Sequence, residues 1–191
     1  MCGGQQDTEN GTITSDLCYQ YAPEVDTWFE SGSLKEERFA YGYDYSDSWG
    51  LIMTGGRDPN MSTLDSVEMT RDGFIFEIYQ PMPVTKAYHC TAIVDDDRLI
   101  VAGGETDEGI TSSAYMYSKT EDSWTQLPDM VYGRVLISCR TIANQETGQL
   151  EVIVPGGYNY NDYYRSDVEI YNVQSESWRF GGKGSTLIKL P

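Results

Sequence analysis

Few side chains in this 191-residue chain are of a type and spacing to do chemistry. Histidine occurs once, as His89. Any Ser/His/Asp triad must use that imidazole, and no nucleophile motif surrounds any serine. The cysteines are Cys2, Cys18, Cys90 and Cys139, with no C-x-x-C spacing among them, so zinc and thiol-redox motifs find no support. Asp95-Asp96-Asp97 has the look of a cation site but reads as a hairpin turn. Other carboxylates are abundant, yet none forms a pair that turn or surface positions leave unexplained. The sequence therefore predicts no catalytic residue, no metal site and no cofactor.

The positioning elements form a repeat. Apolar runs end in glycine pairs at Gly3-Gly4, Gly55-Gly56, Gly103-Gly104 and Gly156-Gly157, and the steps between first glycines are 52, 48 and 53 residues. A fixed period near fifty marks a repeated supersecondary unit. Downstream of each pair comes a short strand: Leu17–Tyr21, Ser66–Thr70, Ser113–Tyr117 and Asp167–Tyr171. Tyr21, Tyr117 and Tyr171 each stand seven residues before a tryptophan, at Trp28, Trp124 and Trp178, and Phe76 fills that place in the second unit. A base follows ten residues after each of the first three aromatics: Arg38, Lys86 and Arg134. Alternation along a strand places Cys18 with Gln20, Val67 with Met69, Ala114 with Met116 and Val168 with Ile170 on one face. Each unit reads as four strands, the inner one following the base and the outer one carrying tryptophan. The tryptophans are expected to be buried between sheets.

These columns resemble the kelch repeat, and the resemblance covers residues 1 to about 180. It implies an all-β, kelch-type β-propeller. Four blades are expected at about 1–32, 33–80, 81–128 and 129–182, the first lacking its own inner strand. Residues 183–191 form a tail whose Thr186–Leu190 reads as a closing strand for that blade. Family members usually have more blades, so the chain is expected to be part of a longer propeller, with a small closed ring as the other solution. Kelch-like oxidases and epimerases share the architecture. A copper radical site needs two imidazoles and a Tyr–Cys pair, which one histidine cannot supply.

Charge narrows the partner class. Lys plus Arg is 13 against 30 for Asp plus Glu, a net charge of −17. That field repels nucleic-acid phosphates and anionic bilayers, so neither nucleic acid nor membrane is expected as a partner. The polar N-terminus and the lack of a long apolar run read as cytoplasmic. Sequons at Asn10-Gly-Thr12 and Asn60-Met-Ser62 keep a secreted protein as the alternative. Cys90 and Cys139 are expected as buried small apolar residues. Cys2 and Cys18, on adjacent strands of the first blade, are expected as free thiols, with a disulfide between them the alternative in an oxidising compartment.

What remains is recognition by loops on a rigid scaffold. The residues after the glycine pairs differ between units, as in Arg57 and Glu105. The fourth loop is the richest, with Tyr158, Asn159, Tyr160, Tyr163 and Arg165, residue types enriched at binding hot spots. Arg38, Lys86 and Arg134 recur at one blade end. The resemblance implies that such bases line a face gripping an acidic peptide, while structural pairing with carboxylates is the other reading. The chain is thus read as a non-catalytic adaptor or scaffold. Its partner is a protein or peptide, and the resemblance adds actin and ubiquitin-ligase substrates as the kinds to consider.

Overall fold

The computed structural model describes residues 1–9, 11–161 and 163–181. All its regular structure is β, with no helix among the described residues. The Thr186–Leu190 strand expected in the tail lies outside them.

The first sheet has three strands, β1 (Cys2–Thr8), β2 (Gly11–Ala22) and β3 (Thr27–Ser33), in that order. The second has four: β4 (Gly42–Ser46), β5 (Gly50–Thr54), β6 (Val67–Thr70) and β7 (Glu77–Tyr79). The third has β8 (Cys90–Ile93) and β9 (Arg98–Ala102), then a two-stranded hairpin of β10 (Glu105–Thr106) and β11 (Gly109–Ile110), then β12 (Ala114–Ser118) and β13 (Ser123–Leu127). The fourth repeats that plan with β14 (Arg140–Ala143), β15 (Leu150–Pro155), the hairpin of β16 (Tyr158–Asn159) and β17 (Tyr163–Tyr164), β18 (Val168–Asn172) and β19 (Ser177–Phe180). Neighbouring strands are antiparallel throughout. The sheets are propeller blades, and among the described residues the first has no inner strand corresponding to β4, β8 and β14.

Period-two alternation gives each central strand two apolar faces, and each face packs on a different neighbour. Leu99 and Val101 of the third blade join Ile52, Val67 and Met69 of the second. Ile100, Ala102 and Ala114 turn the other way, to Val152, Val154 and Tyr171 of the fourth. Cys2, Cys18, Leu34, Met53 and Phe76 fill the space between the first two blades. The outward faces are less covered. Ile142 of the fourth blade is 40% exposed, where its counterpart Val94 is buried, and Trp28 of the first is 55% exposed.

Two expectations need correction. Trp124 and Trp178 are only partly buried. Each leans on its tyrosine, with ring centroids 5.2 Å and 5.1 Å apart. Each indole N–H reaches the neighbouring repeat, donating to the Gln80 and Pro128 carbonyls. An outer strand has too little sheet around it to enclose an indole. The enclosed tryptophan is Trp49, fully buried, with its N–H donating to the Asp95 carbonyl at 2.7 Å and Lys119 Nζ 3.6 Å above its ring.

The cysteines also differ from expectation. All four are paired, Cys2 with Cys18 and Cys90 with Cys139. Cys2 and Cys18 are register partners on adjacent strands. Cys90 faces the fourth blade and Cys139 faces back at it, with 5.5 Å between Cα atoms, inside the range a disulfide spans. The Asp95–Asp97 segment is a turn, as read: Asp95 Oδ1 accepts the N–H groups of Asp97 and Arg98.

Trp49→Ala removes the largest enclosed side chain at the junction of the second and third blades. It is expected to cost about 3–5 kcal/mol, read as a lowered Tm in a thermal melt. Trp124→Ala should cost clearly less, and equal losses would contradict the burial difference.

Candidate functional site

The three recurrent bases build the blade end from inside. Arg38, Lys86 and Arg134 are all at 0% exposure. Arg38 donates to the Gly55 carbonyl at 2.7 Å, to the Ser66 carbonyl at 3.1 Å and to Glu68 Oε1 at 2.6 Å. Arg134 repeats this with the Gly156 carbonyl at 2.7 Å and Glu169 Oε1 at 2.5 Å. Lys86 donates to the Gly103 carbonyl and Ser113 Oγ at 2.8 Å and to the Ser113 carbonyl at 3.1 Å. Each base thus clamps the first glycine of its own blade to the start of the next strand. Their donors face inward, and structural pairing is the duty the geometry gives them.

Sequence reasoning missed the other half of this clamp. Glu68 also accepts the N–H groups of Lys35 and Glu36, and Glu169 those of Val131 and Tyr132. The signal was a column: Glu68, Tyr115 and Glu169 occupy one register position. Where that position holds tyrosine the base is lysine, with Lys86 Nζ 5.6 Å from the Tyr115 ring centre. Burial without a carboxylate opposite pushes Lys86 down to about 7, against the upward pull of Asp129.

His89 is likewise structural. Its Nε2 lies 2.7 Å from Thr54 Oγ1, which is 2.7 Å from Thr91 Oγ1, so the ring bridges two blades. Burial, with Lys86 as a second cause, pushes its pKa down to about 3. A cavity of about 240 Å³ beside it is lined by Tyr41, Asp44, Thr91, Ile137 and Arg140, among others. No group of three His, Cys, Asp or Glu side chains among the described residues is arranged to hold a metal ion.

The variable loops hold the remaining expected site residues. Arg57 and Glu105 pair with each other across the second and third blades at 3.0 Å, and Arg57 also donates to the Met61 carbonyl. The β16–β17 hairpin is anchored at its base. Tyr158 exchanges backbone hydrogen bonds with Val135 at 2.9 Å each way, and Asn159 Nδ2 donates to the Gly133 carbonyl at 2.5 Å. The Arg165 guanidinium stacks 3.6 Å above Tyr132 and is held by Asp167. From this base the tyrosines rise into solvent: Tyr160 is 66%, Tyr163 69% and Tyr164 83% exposed. Tyr158 lies at their foot, with ring centroids 5.7 Å from Tyr160 and 5.5 Å from Tyr164. The structure thus groups Tyr158, Tyr160 and Tyr164 by ring contact and stacks Arg165 on Tyr132 at the hairpin base, while Tyr163, opposite Asn159 in the ladder, stands exposed beside them. Arg57 and Glu105 sit on separate loops, and Arg38, Lys86 and Arg134 lie beneath the surface.

Comparison with known proteins agrees with this architecture. Residues 86–131 match the Kelch motif. The chain carries kelch repeats. The F-box/kelch-repeat protein SKIP20 of Arabidopsis thaliana is 25% identical over 83% of this chain and 40% of its own length. Kelch-like protein 40 of Mus musculus is 28% identical over 93% of this chain and 29% of its own length. Alpha-scruin of Limulus polyphemus is 28% identical over 59% of this chain and 13% of its own length. The chain therefore spans less than half of each of these kelch relatives. No helix among the described residues is long and apolar enough to cross a membrane.

Two outcomes follow for the kelch scaffold. Arg134→Met leaves Glu169 buried without its counter-charge and is expected to cost about 3–5 kcal/mol, read by urea denaturation. His89 binds a proton more readily unfolded than folded. Its contribution to stability is therefore full above about pH 6.5 and is lost as pH falls towards 3. His89→Gln should flatten the pH dependence of stability in that window relative to the parent, by at most about 1.4 kcal/mol per pH unit. Parallel curves for the two proteins would contradict the buried neutral imidazole.

Proposed function

We propose that this chain is a non-catalytic protein-interaction module that grips a protein or peptide partner with the aromatic hairpin of its fourth blade. The observation carrying this reading is the exposure of Tyr160, Tyr163 and Tyr164 on a hairpin whose base is pinned by Val135, Asn159 and Arg165. Tyrosine offers large contact area at little entropic cost, because only two side-chain torsions must be fixed. A pinned base reduces the ordering cost of binding further. The net charge of −17 favours a partner whose contacting surface is basic or neutral. Arg57 and Glu105 extend the contact region onto the neighbouring loops, where their mutual ion pair holds the loop shapes. Arg38, Lys86 and Arg134 support this surface from below.

The non-catalytic part of the proposal rests on His89, whose ring is enclosed between Thr54 and the glycine turns. The ring is 3% exposed, and its Nε2 is taken up by the Thr54 hydroxyl, which in turn bonds Thr91. The Kelch motif at residues 86–131 and the kelch-repeat relatives support an adaptor or scaffold role.

The test is affinity capture from the protein's own cell extract with three baits. These are the parent chain, Tyr160→Ser/Tyr163→Ser/Tyr164→Ser, and a control changed at exposed Ile75 and Ile78. The hairpin variant should keep the parent Tm, because such surface changes are worth within about 0.5 kcal/mol each. It should lose a partner that the parent and the control retain, weakening affinity by at least about thirtyfold if one tyrosine is a hot spot of 2 kcal/mol. Equal retention by all three baits would refute the hairpin as the recognition surface.

A further inference from the structure

The cysteines and one loop of the second blade point to how this protein is made. Every cysteine has a partner, and the two pairs are built differently. Cys2–Cys18 crosses one sheet, whereas Cys90–Cys139 joins the inner regions of two blades, 49 residues apart in sequence. A reducing cytosol keeps such pairs as thiols, and oxidising compartments close them. The second observation is independent of the first. Asn60-Met61-Ser62 satisfies the N-glycosylation pattern, and its place in the fold suits a glycan. The loop is closed below by the Arg57–Thr63 bridge. Asp58 then shapes the tip: its carbonyl accepts the Met61 N–H at 3.0 Å and its Oδ1 the Ser62 N–H at 2.8 Å. Pro59, Asn60, Met61 and Ser62 are all exposed. The Asn60 amide makes only a 3.4 Å contact to Asp58 Oδ2, so nothing in the fold holds it back.

We propose that this protein matures in an oxidising, glycan-adding compartment, where both cysteine pairs close and Asn60 receives an N-linked glycan. Closure of each pair releases two electrons and two protons to a disulfide oxidant, which leaves as two thiols. At Asn60, Nδ2 forms a bond to the anomeric carbon of a lipid-diphosphate-linked oligosaccharide. The bond from that carbon to the diphosphate breaks, the lipid diphosphate departs, and the amide proton passes to solvent. Asn10, the other sequon asparagine, lies outside the described residues. The cross-blade pair has a structural consequence in this setting. It fixes the third blade to the fourth, the blade that carries the tyrosine hairpin.

The experiment uses the full protein isolated from its own cells with an antibody, with thiols blocked before lysis. Peptide mass mapping without reduction should recover Cys2 linked to Cys18 and Cys90 linked to Cys139, with no blocked thiol at any of the four. Enzymatic deglycosylation in heavy-oxygen water should convert Asn60 to labelled aspartate. A blocked thiol at Cys90 or Cys139, or an Asn60 peptide recovered wholly unmodified, overturns the proposal. A second arm secretes the parent and Ser62→Ala from a eukaryotic host. The variant should be secreted and lose the mass of one glycan, and identical masses for the two would also overturn it.

Discussion

The structure depends on one residue position in each of the second, third and fourth blades, the buried base. Its side chain and its backbone do different things. The side chain of Arg38, Lys86 or Arg134 grips the first-glycine carbonyl of its own blade. The backbone carbonyl of the same residue accepts the second-glycine N–H of the preceding blade. Gly4 donates to Arg38, Gly56 to Lys86 and Gly104 to Arg134, each at 2.8 Å. One residue therefore sets the shape of its blade and joins it to the one before. This explains the glycine pair. A Cβ on Gly55 would stand 2.3 Å from the Lys86 carbonyl, and one on Gly103 2.8 Å from that of Arg134. Both glycines also take positive φ, which a side chain disfavours. Two residues past each base, Ala40, Tyr88 and Leu136 turn left-handed despite their side chains. The turn lets the Tyr88 N–H reach the Ala40 carbonyl and the Leu136 N–H reach that of Tyr88, so a second line of hydrogen bonds crosses the blades.

Burying a cation in each of these three blades requires an answer to desolvation, and the blades give two. The second and fourth supply a buried glutamate, and that glutamate also satisfies two backbone N–H groups of the chain entering the blade. The third supplies the Tyr115 ring and serine and backbone oxygens instead. A guanidinium does not shed its proton in a protein, so Arg38 and Arg134 need the carboxylate. A lysine can shed it, and Lys86 is the base whose pKa burial brings down to about 7. Because the unfolded chain holds that proton up to the ordinary lysine range, stability from this position grows as pH rises from about 7 towards 10.5. The exchange of Arg–Glu for Lys–Tyr is one coupled choice made at two positions 29–35 residues apart.

Most of the fold was legible because repetition supplies its own control. Four glycine pairs, the small apolar column of Cys18, Val67, Ala114 and Val168, and the spacing to tryptophan each state the same architecture. The bases were legible as a column too, but their role was not. A sequence shows that Arg134 recurs, while burial decides whether it faces a partner or Glu169. The same limit applied to Trp124, which repeats faithfully yet sits on an outer strand, whereas Trp49, which appears in only one unit, is the enclosed one. Cys2 and Cys18 were legible as neighbours on adjacent strands, whereas Cys90 and Cys139 were each read as buried apolar residues and not as a pair. Cys90 and Cys139 stand one register step apart in successive inner strands, and that step is what turns one towards the other across the blade junction.

Repetition and recognition lie in different columns. What recurs from blade to blade is spent on the clamp, the glycine turn and the packed faces, and almost all of it is buried. What does not recur is the loop between the second and third strands, which ends in an Asp-shaped turn in the second blade, a short Glu-Thr hairpin in the third and a tyrosine hairpin in the fourth. A loop can vary this way only if its two ends are fixed without its help. The bridges Phe39–Arg57, Ala87–Glu105 and Val135–Tyr158 fix them. Each lies directly beyond a glycine pair, and each is held to the segment following a buried base. The clamp beneath therefore frees the loop above from any structural duty, which is why three exposed tyrosines can stand on the fourth blade without disturbing the packing under them.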